Sequence, residues 1–216
     1  MTNDTLSLIN AVEEADSSDK LLDAVKALAE VRQNAAMDTL IAALGYNNPG
    51  AAVAAVDGLV ALGEVAVEPL LQKLDDYNYG ARAWSIRALA GIGDPRGLEI
   101  LLTAAETDFS LSVRRAAARG LGCIRWSKME SNLVCENQQR VFKVLLRVSQ
   151  DPEWVVRYAA VFGLQFLGIN ASNSQPDLIT QIIAQLDKVA RFDTELAVRA
   201  RAVMAKKELF DSNVKK

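Results

Sequence analysis

Histidine is absent from this sequence, so the residues that could do chemistry are carboxylates, guanidiniums, two thiols and a few aromatics. Without imidazole there is no Ser-His or Cys-His nucleophile pair, no imidazole metal site and no ordinary general base near neutral pH. Asp75 and Asp76 stand side by side just ahead of a helical stretch. Carboxylates there can accept hydrogen bonds and relay a proton, or they can cap the helix and complement its dipole. Tyr77, Tyr79 and Trp84 follow at once, offering a stacking surface or packing at the helix entry. Arg82, Arg114, Arg157 and Arg199 recur near the starts of successive helices, thickened by Arg87, Arg96, Arg115 and Arg119. Such a row suits paired hydrogen bonds to carboxylates of a ligand. The competing reading is a brace between repeats, with Asp75, Asp94 and Asp108 as partners. A second aromatic group, Trp126, Trp154, Tyr158 and Phe162, fits either partner anchors or packing beneath a loop. Cys123 and Cys135 have Arg125 and Lys128 nearby to lower a thiol pKa, although two cysteines in a reduced protein are usually inert.

The elements that must position these groups are helices in a repeat. Ala51 to Gly63, Ala81 to Gly93, Leu111 to Gly122 and Val156 to Gly168 share one pattern. Leu59, Leu89, Leu121 and Leu164 form a column, with Ala55, Ser85, Ala117 and Ala160 four positions earlier on the same face. The column extends back through Ala24 and Leu28 and forward through Ala202, where Lys206 replaces the leucine. Shorter apolar helices are expected between them, over 37–44, 67–74, 97–105, 139–148 and 176–189. Gly93-Asp94-Pro95-Arg96 reads as a stop and a start: a left-handed glycine, a capping Asp and a proline in the next first turn. Leucine spacing is about 30 residues up to Leu121, then about 43. Polar insertions at 125–137 and 169–175 are expected as loops that account for the longer step. The expected fold is all-α, a right-handed α-solenoid of roughly five to six HEAT-like hairpins in one domain spanning 1–216. Residues 1–33 would be an N-terminal capping repeat and 192–216 a C-terminal capping helix and tail with a solvated outer side.

Composition narrows the partners. The 216 residues carry 24 Lys+Arg against 27 Asp+Glu, a net charge of −3, too near neutral to suggest a nucleic acid. Half the residues are hydrophobic but only 6% aromatic, so the core is built from small and aliphatic side chains. Asp4, Glu13 and Glu14 interrupt the first fifteen residues, which argues against a signal peptide. A cytoplasmic protein with no membrane insertion is expected.

The stretch from Asp75 to Gly122 carries a resemblance. Asp76-Tyr77-Asn78-Tyr79-Gly80-Ala81-Arg82-Ala83-Trp84, Ala88-Leu89-Ala90-Gly91-Ile92-Gly93-Asp94-Pro95-Arg96, Thr107-Asp108-Phe109 and Ser112-Val113-Arg114-Arg115-Ala116-Ala117 closely resemble phycobilin lyases of the E/F type, and in particular their smaller, F-type subunit. The resemblance implies a heterodimer with a longer E-type repeat subunit. That enzyme attaches phycocyanobilin through a thioether bond to a cysteine of the apo-phycocyanin α subunit, or runs the transfer in reverse. It implies no metal and no resident cofactor, the bilin being the transferred substrate. Asp75 and Asp76 would then be catalytic, contacting the pyrrole nitrogens. Tyr77, Tyr79, Arg82, Trp84, Arg87, Arg114, Arg115 and Arg157 would bind the bilin, the arginines through its propionates. Trp126, Trp154 and Tyr158 would serve the partner interface. Lyases of this type that also isomerise the bilin are associated with an adjacent His and Cys, and the absence of histidine points to simple ligation. A non-catalytic repeat adaptor in phycobilisome degradation or bilin detachment is the alternative, and a generic scaffold unrelated to bilins the third.

Overall fold

The computed structural model describes residues 3–75, 79–171 and 175–214. Among them every α or 3-10 element is helical and no strand occurs. The α-helices are α1 (Asn3–Glu13), α2 (Ser18–Glu30), α3 (Met37–Ala43), α4 (Pro49–Leu62), α5 (Val67–Gln72), α6 (Tyr79–Ile92), α7 (Leu98–Thr107), α8 (Leu111–Gly122), α9 (Ser131–Val148), α10 (Trp154–Ala171), α11 (Pro176–Phe192) and α12 (Leu196–Val214). Where the sequence suggests one domain, the chain divides into two compact units, Met1–Ile92 and Gly93–Lys216. Each holds three helical hairpins among its described residues, α1 to α6 in the first and α7 to α12 in the second.

Within the first unit, α4 packs between α2 and α6. The column residues Leu28, Leu59 and Leu89 are fully buried there, with Ala55 and Ser85 beside them. Asn48 ties two repeats together while capping α4. Its Oδ1 accepts from the Ala51 amide at 3.0 Å, and its Nδ2 donates to the Ser18 carbonyl at 2.8 Å. The apolar stretch Pro49–Gln72 matches a membrane span in length and composition. Half of it is buried inside the protein, and Gly63, at φ 73°, breaks it between α4 and α5.

In the second unit α8, α10 and α12 form one layer and α7, α9 and α11 pack against it. Small residues let α8 and α10 approach backbone to backbone: a Cβ on Gly122 would lie 2.7 Å from the Gly163 Cα, and one on Gly163 would lie 2.6 Å from the Ala118 carbonyl oxygen. Leu121, Leu164, Ala117, Ala160 and Ala202 are fully buried along this seam. The turn ahead of α7 has the expected chemistry. Gly93 sits at φ 68°, the Asp94 side chain accepts from the Arg96 amide, and Pro95 occupies the first turn. Gly93 is pinned there, because its carbonyl accepts from the Arg125 amide at 2.8 Å and an added Cβ would meet the Cys123 carbonyl oxygen at 2.4 Å.

Two boundaries differ from the sequence reading, and so does the outer side of the last helix. Residues 131–137 are not a loop but the first two turns of α9. The polar run opens a helix whose buried face starts at Gln138 and continues through Val141, Phe142 and Leu145. Residues 169–171 likewise complete α10, leaving 172–174 outside the described residues. The C-terminal helix exists, but its outer side is not that of a solvated cap: Leu196, Val203, Met204 and Phe210 on α12 are exposed.

Candidate functional site

The recurring arginines form a ladder in the second unit. Arg114 at the start of α8 donates from Nε and Nη2 to both carboxylate oxygens of Asp151, at 2.7 and 3.2 Å. Its Nη1 donates to the carbonyls of Asp108 and Phe109. One repeat on, Arg157 at the start of α10 does the same to Asp193, at 2.8 and 2.9 Å, with Nη1 on the carbonyls of Asp151 and Pro152. Each arginine therefore closes the loop ahead of its own helix and grips the aspartate of the next repeat. These pairs are well shielded, with side-chain exposures of 13% and 8% for Arg114 and Asp151, and 12% and 5% for Arg157 and Asp193. Hydrogen bonding to the aspartates raises both guanidinium pKa values further above their ordinary range. Burial alone would raise the Asp193 pKa, but the bonds from Arg157 and the Glu195 amide, with the Arg157 and Arg199 charges, hold it below the usual carboxylate value. The expected bilin contacts from Arg114 and Arg157 are corrected accordingly, since four of the five N–H donors of Arg114 and all five of Arg157 are spent on the fold. The bracing partners also differ from those expected: they are Asp151 and Asp193, while Asp94 pairs with its neighbour Arg96 at 2.9 Å.

Next to the ladder, the layer of α8, α10 and α12 carries aromatic and cationic groups. Trp154, Tyr158, Phe162 and Phe166 fall four residues apart along α10, and the last two rings stack with centroids 4.4 Å apart. Trp154 and Tyr158 are exposed. Phe162 lies between two guanidiniums, Arg119 of α8 at 3.9 Å and Arg201 of α12 at 5.4 Å from its ring centroid. Such contacts are favoured by the negative ring face. Arg201 is buried, and burial pulls its pKa below the usual guanidinium value. Its Nη2 is held by Gln165, which in turn donates to Glu208. Arg115 is exposed on α8. Arg119 belongs to the arginine row and Phe162 to the second aromatic group of the sequence, but Arg201 stood outside both. The four-residue aromatic spacing was the available signal for Phe162, whereas nothing local in the sequence joins Arg201 to Arg119.

The remaining expected residues fall out as follows. Trp126 is only 7% exposed, in the 3-10 turn Trp126–Lys128, so its assignment to a partner surface is corrected. It is a packing residue under that turn, and its indole N–H finds no acceptor among the described residues. In the first unit Trp84 is half-buried with the exposed Arg87 over its ring, 5.3 Å from the centroid, and Arg82 is half-buried. Asp76 and Tyr77 lie outside the described residues, as do the side chains of Asp75 and Tyr79. Burial raises the Cys123 pKa, only partly offset by Arg119, which disfavours a thiolate there. Cys135 is exposed on α9. Among the described residues no group of three potential Cys, Asp or Glu metal ligands converges. A shallow groove of about 240 Å³ lies between α2 and α4, lined by Lys26, Glu30, Val53 and Asp57.

Helical hairpins stacked through a small-residue seam and an Arg-Asp ladder define a HEAT-type repeat protein, and residues 67–165 match the family described as HEAT repeats. The chain is 52% identical over 97% of its length to the phycocyanobilin lyase subunit beta of Pseudanabaena tenuis, covering 74% of that protein. It is 54% identical over 79% of its length to the phycocyanin alpha phycocyanobilin lyase CpcF of a Synechocystis species, covering 80% of that protein. Among solved structures it is similar to a chain in the complex of CpcE and CpcF of phycocyanin lyase from a Nostoc species, with TM-score 0.73, 52% identity, and coverage of 81% of this chain and 99% of that one. The chain belongs to the family of phycocyanobilin lyase β, or F-type, subunits, and its fold is an all-α solenoid of HEAT-like hairpins.

Proposed function

We propose that this chain is the F-type half of a heterodimeric phycocyanobilin lyase in the cyanobacterial cytoplasm, which joins phycocyanobilin to a cysteine of the phycocyanin α subunit. The observation that carries this is the 52% identity to a phycocyanobilin lyase β subunit across 97% of the chain. The joining reaction is an addition. The cysteine sulfur bonds to the ethylidene carbon of the bilin, the thiol proton ends on the tetrapyrrole, and no group leaves. Catalysis therefore asks for positioning and proton delivery, with no covalent enzyme intermediate and no resident cofactor. A protein without histidine can supply both through carboxylates and guanidiniums.

On this reading the exposed Arg115 and Arg119 of α8 meet bilin propionates, a task for which Arg157 has no donor left and Arg114 only one. Trp84 and Arg87 provide a second stacking and cationic position in the first unit. Asp75 and Asp76 deliver or accept the proton at the pyrrole nitrogens, beside Tyr77 and Tyr79. Trp154 and Tyr158, exposed on α10, anchor the apo-phycocyanin α subunit. The partner in catalysis is an E-type subunit.

Co-expression of this chain with an E-type subunit, apo-phycocyanin α subunit and bilin tests the proposal. Covalent chromophore, read by zinc-induced fluorescence of the denatured acceptor, is expected only when this chain is present. Equal yield on its omission would overturn the assignment. Asp76→Ala is expected to lower attachment at least tenfold with an unchanged melting curve, and unaltered attachment would remove Asp76 from the proton path.

A further inference from the structure

The ladder stops one rung short. Arg199 begins α12 as Arg114 and Arg157 begin α8 and α10, and its Nη1 makes the same two bonds, to the carbonyls of Asp193 and Thr194 at 2.7 and 3.1 Å. In the two earlier repeats the Nε and Nη2 edge grips the aspartate of the following repeat. Among the described residues that edge of Arg199 has no partner.

The apolar positions tell the same story. Counting from the ladder arginine, the fourth residue is Ala118, Val161 and Val203. Ala118 and Val161 are 0% exposed, whereas Val203 is 59% exposed. The eleventh is Gly168 on α10, buried against Leu209, and Phe210 on α12, which is 52% exposed. Leu196 and Met204 extend the exposed strip. A terminal repeat that ended in water would carry polar residues at these positions. Instead α12 keeps the residue types of an internal helix at positions that no described residue covers.

We infer that the outer face of α12 is a docking surface for a helical repeat of the E-type partner subunit, which presents a carboxylate to Arg199 and covers Val203, Met204 and Phe210. This rests on the heterodimer proposed above. The open guanidinium edge selects the occupant, because within this chain the same edge is filled each time by an aspartate of the stacked repeat. A repeat partner that offers an aspartate at the ladder position satisfies the open edge as Asp151 and Asp193 do within this chain.

The test is binding of purified E-type subunit by this chain, wild type against Val203→Glu and Arg199→Glu, with Lys143→Glu on α9 as a control surface change. Circular dichroism melting establishes that each variant is folded. Val203→Glu is the decisive variant, because its side chain is on the surface and touches no loop carbonyl. Each α12 variant is expected to weaken binding at least tenfold, with Lys143→Glu within twofold of wild type. Amides of 196–210 are expected to gain hydrogen-exchange protection on adding the partner. If wild type binds the partner and the folded Val203→Glu binds within twofold of it, the inference is overturned. It is also overturned if Val203→Glu abolishes only self-association. If wild type binds no E-type subunit, the heterodimer proposal itself fails.

Discussion

Arg157 and Asp193 show how one pair can fix the geometry of a whole repeat. Both are shielded from water, and the arginine also satisfies two loop carbonyls. Removing one member of a shielded pair strands the other and costs about 3–5 kcal/mol. Asp193→Ala is expected to lower the free energy of unfolding by about that amount, measured by urea denaturation. By contrast the outer-layer pair Arg140 and Glu99, at 2.6 Å, has exposures of 42% and 71%, and Glu99→Ala is expected to cost under about 1 kcal/mol. The shielded pair also carries a pH signature. The Asp193 pKa is depressed in the folded chain, so its contribution is complete above the unfolded value of about 4 and is lost as pH falls through the folded value. Stability is therefore expected to fall below about pH 4, and Asp193→Asn is expected to flatten that fall in a pH series of melting curves.

At the scale of helices, the seam between α8 and α10 depends on residues with almost no side chain. Gly163→Val would drive its side chain into the Ala118 carbonyl and Leu145, and an overpacking loss of about 1–3 kcal/mol is expected in thermal denaturation. Leu89→Ala, in the core column of the first unit, is expected to cost about 2–5 kcal/mol by leaving a cavity. These seams were legible in the sequence, because a small residue followed by leucine four positions later is visible in every central repeat. The turn at Gly93 was legible for the same local reason. The start of α9 was not: residues 131–137 are polar because most of them face water, and polarity alone resembles a loop. The ladder was half legible. The arginine spacing is plain in the sequence, but their partners lie 36 or 37 residues away and only stacking brings them together. Phe162 between Arg119 and Arg201 escaped for that reason too, being assembled from three helices.

In the second unit an Ala-rich core and a shielded ladder fix the helices, leaving the exposed side chains as the candidates for recognition. Within the second unit the exposed arginines and aromatics of α8 and α10 form one candidate surface, and the outer side of α12 forms another. The two are expected to separate in experiment. Arg115→Ala with Arg119→Ala should lower chromophore attachment at least fivefold while E-type binding stays within twofold, and Val203→Glu should lower both. Equal loss of partner binding in the two cases would place both surfaces in one interface.

The three tryptophans divide between the compact units and between environments: half-buried Trp84 in the first, and buried Trp126 and exposed Trp154 in the second. They make the chain its own optical reporter. Trp126, shut away with no acceptor for its indole N–H among the described residues, should emit at the blue edge and resist quenching by acrylamide. Trp154 should emit to the red and be quenched readily. A variant with both replaced by phenylalanine would leave Trp84 alone, so that the first unit can be watched unfolding, or meeting a bilin that absorbs its emission, without any attached dye.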